Sequence, residues 1–274
     1  MYLVITGTSS GIGRALAERL LAQGHQIWGL ARSDQSDLVK RHADAFRATP
    51  CDVADWKQVE GAARAVAAAW PHLDALVTCA GVQGAIGPAV TLDPPAWSAT
   101  VRSNLDGTYH AIRAFHAQLR RAPRRAKIIC FSGGGATKAR PNFSAYAAAK
   151  TGVVRLVETL AEELRGEAVD INALAPGAIH TRLTDEVLRL GPAVVGAAEY
   201  ESARRQQEQS GEALAQALGL VEWLLSPGSD GISGRLLAAA WDPWANLGRH
   251  APTLARTDVY TLRRILPEDR GLKF

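Results

Sequence analysis

Tyr2-Leu3-Val4-Ile5-Thr6-Gly7-Thr8-Ser9-Ser10-Gly11-Ile12-Gly13 decides the fold. Residues 2–6 form an apolar run of the kind buried inside a parallel sheet. A glycine-rich turn follows, and then Leu16, Leu20 and Leu21 at helical spacing up to Gly24. Strand, glycine-rich turn and helix in that order suit a phosphate. Glycines permit a tight turn and close backbone approach, and the N–H groups at a helix start favour an anion. A purely structural turn is the alternative; the position at the first strand-to-helix junction favours the phosphate.

Outward from this unit, strands and helices alternate. Gln26 to Ala31 reads as a second strand, Asp37 to Phe46 as a helix, and a short third strand runs into Cys51-Asp52-Val53. Asp55 can N-cap a helix from Trp56 to Trp70. Asp74 to Gly81 is a fourth strand and turn, and a long helix is expected from about Pro95 to Arg121. Asn104 and Gly107 are poor helix formers within it, which implies either a functional kink or a solvent-facing Asn. Lys127 to Phe131, Asp170 to Leu174 and a last strand near Gly234 to Ala239 complete the set. The pattern predicts an α/β fold: a doubly wound parallel sheet of about seven strands with helices on both faces.

Ligands of such sheets lie beyond the carboxyl ends of the strands. Gly7 to Gly13, Arg32, Asp52, Gly81, Ser132 and Pro176-Gly177 all fall at such ends. Dinucleotide sites place there either a carboxylate for a ribose hydroxyl or an arginine for a 2′-phosphate. The second strand ends in Ala31-Arg32, with Asp34 past its end, so Arg32 is read as a phosphate ligand. Asp52 either satisfies turn amides or meets an adenine amino group. One helical turn separates Tyr146 from Lys150, so phenol and ammonium project from one face of a helix and form a candidate proton-transfer pair.

Composition narrows the classes. The chain has 274 residues, 47% apolar and 21% charged, with a net charge of +4, which fits a folded protein with a sizeable core. One domain of residues 1–240 is expected, followed by a tail of 241–274. Arg120, Arg121, Arg124, Arg125 and Lys127 read as a solvated helix end complementing the macrodipole rather than a nucleic-acid patch. Cys51, Cys79 and Cys130 lack metal-type spacing and are odd in number, so buried free thiols are expected, with no metal site. No apolar run reaches the length of a membrane span, and a strand begins at Tyr2, so the expected compartment is the cytoplasm. Residues 178–210 read as an irregular substrate loop or lid.

The assembled motifs resemble those of the short-chain dehydrogenase/reductase family. Thr6-Gly7-x-x-x-Gly11-Ile12-Gly13, Asp52-Val53, Ala80-Gly81, Asn104, Tyr146-x-x-x-Lys150 and Pro176-Gly177-x-x-x-Thr181 occur in the family's order. The resemblance implies a Rossmann-type fold, a nicotinamide cofactor and a small carbonyl or alcohol substrate. It implies Gly7, Ser9, Ser10, Gly11, Ile12 and Gly13 around the pyrophosphate, Asp52 and Val53 at the adenine, and Ala80 and Gly81 along the cofactor. Pro176, Gly177, Ile179 and Thr181 would lie near the nicotinamide. Tyr146 is then the acid/base, Lys150 its pKa modulator and ribose ligand, and Asn104 the holder of a water. With Arg32, NADP(H) is the expected cofactor and NAD(H) the possible substitute. A homodimer or homotetramer is implied by analogy; a non-catalytic nucleotide-binding sensor is the rival reading.

Three departures stand out. The family's Asn-Asn-Ala-Gly is Thr78-Cys79-Ala80-Gly81 here, so amide bonding at the sheet centre must be replaced. The serine that binds the substrate oxygen usually lies thirteen residues before the tyrosine, and that position is Gly133. Ser132 is expected to take its place through a bulge of the triple glycine; otherwise it bonds only the backbone, leaving Thr137 or Ser144 as weaker candidates. Finally, the tail carries Trp241 and Trp244, read as packing residues or as walls of a pocket.

Overall fold

The computed structural model describes residues 1–208 and 210–273; Gln209 of the expected loop segment and Phe274 of the tail lie outside the described residues. The seven strands are β1 (Tyr2–Thr6), β2 (Gln26–Ala31), β3 (Phe46–Pro50), β4 (Ala75–Thr78), β5 (Ala126–Phe131), β6 (Val169–Ala175) and β7 (Leu236–Ala238). They form one parallel sheet in the order β3-β2-β1-β4-β5-β6-β7. The order reverses between β1 and β4, and this switch point opens the crevice that ligands of such sheets occupy.

Period-2 alternation sorts the strand residues between two cores. Val4, Leu76, Ile128 and Ile171 face the helices α3 (Trp56–Ala69), α5 (Gly107–Leu119) and α6 (Ser144–Glu163). Leu3, Ile5, Val77, Ile129 and Leu174 face α1 (Gly11–Ala22), α2 (Ser36–Arg41) and α10 (Ser210–Leu225). Asp55 caps α3 by accepting from the N–H groups of Lys57 and Gln58, and Asp93 caps α4 (Pro94–Val101) at Ala96 N–H.

Three sequence expectations change, and one alternative is decided. The helix expected to reach Phe46 stops at Arg41, because Phe46 opens β3 opposite Ile27 and is buried in the core. Within the long helix from Pro95 to Arg121 the kink alternative holds, as a π-helical turn at Arg102–Asp106 between α4 and α5. The segment read as irregular but for an amphipathic piece at Thr181 to Leu190 holds α7 (Arg182–Leu190) at that piece, and also α8 (Pro192–Val195) and α9 (Ala197–Glu208). Gly191 and Gly196, at φ of +75° and +90°, turn the chain between these helices, so the glycines that suggested a loop are its corners. Lys127, read as part of a solvated helix end, is instead buried in β5. Its ammonium lies 2.9 Å from Asp170, 2.7 Å from Asp230 and 3.1 Å from the Ser229 hydroxyl.

The tail docks against the β7 edge. Leu236 N–H donates to Tyr260 O, and the Arg235 guanidinium bonds the carbonyls of Leu254, Thr257 and Val259. Trp244 packs 6.1 Å from Trp223, centroid to centroid, and donates to Ala239 O, whereas Trp241 is exposed.

At the sheet centre the Thr6 hydroxyl accepts from Ala80 N–H at 3.0 Å. The neighbouring Thr78 hydroxyl is buried with no nitrogen or oxygen partner among the described residues and meets only the Cys130 thiol, a weak one. A buried hydroxyl so weakly met costs stability that a shape-matched methyl does not. Thr78→Val is therefore expected to raise the unfolding free energy by about 1 kcal/mol. Denaturant unfolding checks this, and a destabilised variant would contradict it.

Candidate active site

The carboxyl ends of β1 and β4 gather the glycine-rich turn and the Ala80-Gly81 turn. Gly7 and Gly11 hold φ of +79° and +58°. A side chain at Gly13 would begin 2.6 Å from Gly7 O, so this turn tolerates only glycine there. Ser10 stands at the N-cap of α1 without bonding its first-turn amides. Those N–H groups lack a side-chain acceptor from the cap, as a phosphate cradle requires. On an observation of this chain, then, the residues fit a dinucleotide pyrophosphate.

At the end of β2, Arg32, Ser33, Asp34, Gln35, Ser36 and Lys40 border a cavity of about 330 Å³. Asp34 is turned back on its own loop, accepting from Ser36 N–H at 3.1 Å and from the Ser36 hydroxyl at 2.7 Å, bonds that hold its carboxyl below the ordinary range. Arg32 remains exposed, 3.9 Å from Asp52. One Asp52 oxygen accepts from Ala54 N–H at 3.0 Å, so this carboxylate does serve its turn while the other oxygen faces Arg32. Val53 is buried, and its carbonyl lies 2.9 Å from His110 Nδ1.

Asn104 sits in the π-helical turn and is fully buried, which excludes the solvent-facing alternative. Its amide nitrogen donates to Val82 O and Thr100 O at 2.9 Å, and its oxygen accepts from Val82 N–H at 3.3 Å. The side chain thus pins the turn after β4. A side chain at Gly81 would begin 2.7 Å from Asn104 Oδ1 and 3.6 Å from Lys150 Nζ, which is why glycine stands there.

Tyr146 and Lys150 are both buried on α6. The Lys150 ammonium donates to Phe131 O at 2.9 Å and lies 5.8 Å from the centre of the Tyr146 ring. Burial pulls Lys150 down to about 8 and pushes the Tyr146 phenol up, while the charge of Arg140 draws the phenol down. Cys79 and Cys130 flank Lys150; burial pushes both thiols up, Cys130 to about 12. Among the described residues no carboxylate contributes to this shift of the ammonium.

The expected bulge at the triple glycine is not what the structure has. The Ser132 hydroxyl is buried and donates to Lys150 O at 3.2 Å. Gly133 instead faces the phenol: a Cβ built there would sit 2.6 Å from Tyr146 Oη. The phenol occupies space that a side chain at 133 would need, so the backbone, not a bulged serine, meets it. Thr137 is exposed, and the Ser144 hydroxyl accepts from Trp97 Nε1 at 3.1 Å.

Pro176 and Gly177 follow β6, with Gly177 at φ +88°. Ile179 is buried in the core, and Thr181 caps α7 by accepting from Leu183 N–H at 3.3 Å. The Thr181 methyl lies beside Gly11, 3.6 Å from where a Cβ would stand. Two residues absent from the sequence reading join this region. Arg182 reaches across to the Ser10 hydroxyl of the glycine-rich turn, and Arg140 stacks 3.8 Å above the Phe143 ring while pairing with Glu199 of α9 at 2.9 Å. Arg140 had one signal in the sequence: with Lys138 it brings charge, just before Pro141, into the loop leading to the tyrosine helix.

The family model for short chain dehydrogenases matches residues 2–189. This chain belongs to that family. D-threitol dehydrogenase of Mycolicibacterium smegmatis is 35% identical to it over 66% of this chain and 70% of that protein. Levodione reductase of Leifsonia aquatica is 30% identical over 68% of this chain and 72% of its own length. A solved levodione reductase structure superposes with a TM-score of 0.75 at 26% identity, covering 86% of this chain and 95% of that one. A Saccharomyces cerevisiae short-chain dehydrogenase/reductase has a TM-score of 0.80 at 22% identity, over 89% of this chain and 98% of that one, and shows the shared fold. The chain is thus a family oxidoreductase that acts on alcohol or carbonyl groups with a nicotinamide cofactor.

No helix among the described residues is long and apolar enough to cross a membrane.

Proposed function

We propose that the protein is an NADP(H)-dependent oxidoreductase acting on a ketone, aldehyde or secondary alcohol, with Tyr146 as acid and base. One observation carries this reading: a buried phenol and a buried ammonium share one face of α6, beside a glycine-rich turn with free first-turn amides. The nicotinamide, when bound, supplies or accepts the hydride. Tyr146 gives its phenolic proton to the substrate oxygen in reduction and takes it back in oxidation. Lys150 favours the phenolate by charge. Ser132 holds the Lys150 carbonyl and so positions α6, leaving the phenol as the donor to the substrate oxygen. Asn104 fixes the turn that ends in Val82.

The preference for the phosphorylated cofactor rests on Arg32 and Lys40 at the rim of the β2 cavity, and on the Asp34 carboxylate there being bonded back to Ser36. Charge-assisted contacts to a phosphate are among the stronger hydrogen bonds. Arg32→Ala is expected to raise the KM for NADPH by about tenfold or more while leaving that for NADH within about twofold. Steady-state kinetics with both cofactors checks this; equal effects on the two would remove the basis for the preference. The overall reading is tested by following NADPH oxidation across a panel of aldehydes and ketones. Cofactor binding with no turnover on any of them would support the sensor reading instead.

We also propose that residues 1–240 form the nucleotide-binding unit, with 241–274 as a strap on its edge, and that the protein assembles as a homodimer or homotetramer in the cytoplasm. Exposed Tyr109 on α5 and exposed Ile265, Leu266 and Leu272 in the tail support the assembly.

A further inference from the structure

We propose that Arg140 sets the ionisation of the Tyr146 phenol as a positioning residue, with Glu199 of α9 fixing and tempering it. The inference rests on the reading of Tyr146 as acid/base.

The geometry leaves few other groups for this task. No side chain projects from Gly133, and the Ser132 hydroxyl is committed to Lys150 O. The Arg140 guanidinium carbon lies 3.8 Å from the Phe143 ring centre and 5.5 Å from that of Tyr146, within the reach of cation–π attraction. A cation at that range favours phenolate over phenol. The side chain is 14% exposed, so solvent screens it weakly. It is held from two sides, by Gln83 after β4 at 3.4 Å and by Glu199 at 2.9 Å. Three segments therefore converge on one guanidinium: the turn after β4, the loop before α6, and α9.

The charged and titratable groups around the phenol are Lys150 from its own helix, Arg140 from the preceding loop and Glu199 behind Arg140; Tyr200 is partly buried against the same cluster. The remaining buried neighbours, Phe143, Val187, Val195 and Ala203, carry no charge. Arg140 draws the phenol towards ionisation, and Glu199 offsets part of that pull. The two residues are thus expected to act in opposite directions.

The test uses the full chain without added cofactor. The ultraviolet difference spectrum between each protein and its Tyr146→Phe counterpart reports the pH at which phenolate first appears, within the range where circular dichroism is unchanged. Arg140→Gln is expected to move that onset up by about one pH unit. Arg140→Lys is expected to restore most of it, and Glu199→Gln to move it down. In the alcohol-oxidising direction, where phenolate is the active form, Arg140→Gln should shift the kcat–pH profile the same way, lowering the rate about tenfold at a fixed pH below the transition, with the cofactor KM unchanged. An unshifted onset in folded Arg140→Gln overturns the proposal. Should that variant not fold, Glu199→Gln decides: a downward shift supports it and no shift overturns it. Full turnover by Tyr146→Phe would instead overturn the acid/base reading, while the onset shifts would still report on Arg140.

Discussion

Tyr146→Phe is expected to lower kcat by about 10²–10⁴-fold, the range associated with loss of a positioned general acid or base. The structure sharpens that expectation at the place of the usual serine: the Ser132 O–H is spent on Lys150 O, and Gly133 has no side chain to offer. Phenylalanine keeps the ring between Arg140 and Lys150, so packing and cofactor affinity should change little. Measurement of kcat together with the cofactor dissociation constant separates the two effects. Unimpaired turnover would refute the assigned role of the phenol.

Lys150→Met is expected to lower activity by about 100-fold or more and yet to make the cofactor-free protein more stable at neutral pH. Burial pulls the ammonium from its usual 10.5 to about 8. The unfolded chain therefore binds the proton more tightly than the folded one, and the folded state carries a penalty that is full below pH 8. The penalty is relieved as pH rises from about 8 towards 10.5. A methionine of similar length has no charge to desolvate, though it leaves Phe131 O without its donor. The net gain should be about 2 kcal/mol at pH 7, fading as the pH approaches the lysine's unperturbed value. Urea unfolding of both proteins at several pH values checks the sign; a gap that widens with pH would show that burial does not govern Lys150.

Most of the architecture was legible because strand and helix periodicities are local. The run Tyr2–Thr6, the glycines after it and the spacing of Tyr146 and Lys150 each report on a few neighbouring residues, and the sheet is built from such units. What escaped depended on distant partners. Phe46 has a helical place in the pattern, yet its partner is Ile27 across the sheet. Lys127 looks like one more charge in a basic cluster until Asp170 and Asp230 meet it. The kink at Asn104 is one of two readings of a poor helix former, and what decides for it is a bond to Val82 after β4, outside the helix. Ser132 failed for a similar reason. The direction of a side chain at a glycine-rich turn is set by what the hydroxyl finds, and it finds the carbonyl of Lys150.

The strap across β7 has a consequence for self-association of the wrong kind. An open outer strand offers unpaired N–H and C=O groups to any passing chain. At β3 the other margin is short and ends at Pro50, with Arg47 beside it. At β7 the margin is covered from within the molecule, by Tyr260 and by the carbonyls that Arg235 gathers. Shortening the protein to residue 240 is therefore expected to uncover a template for intermolecular strand addition.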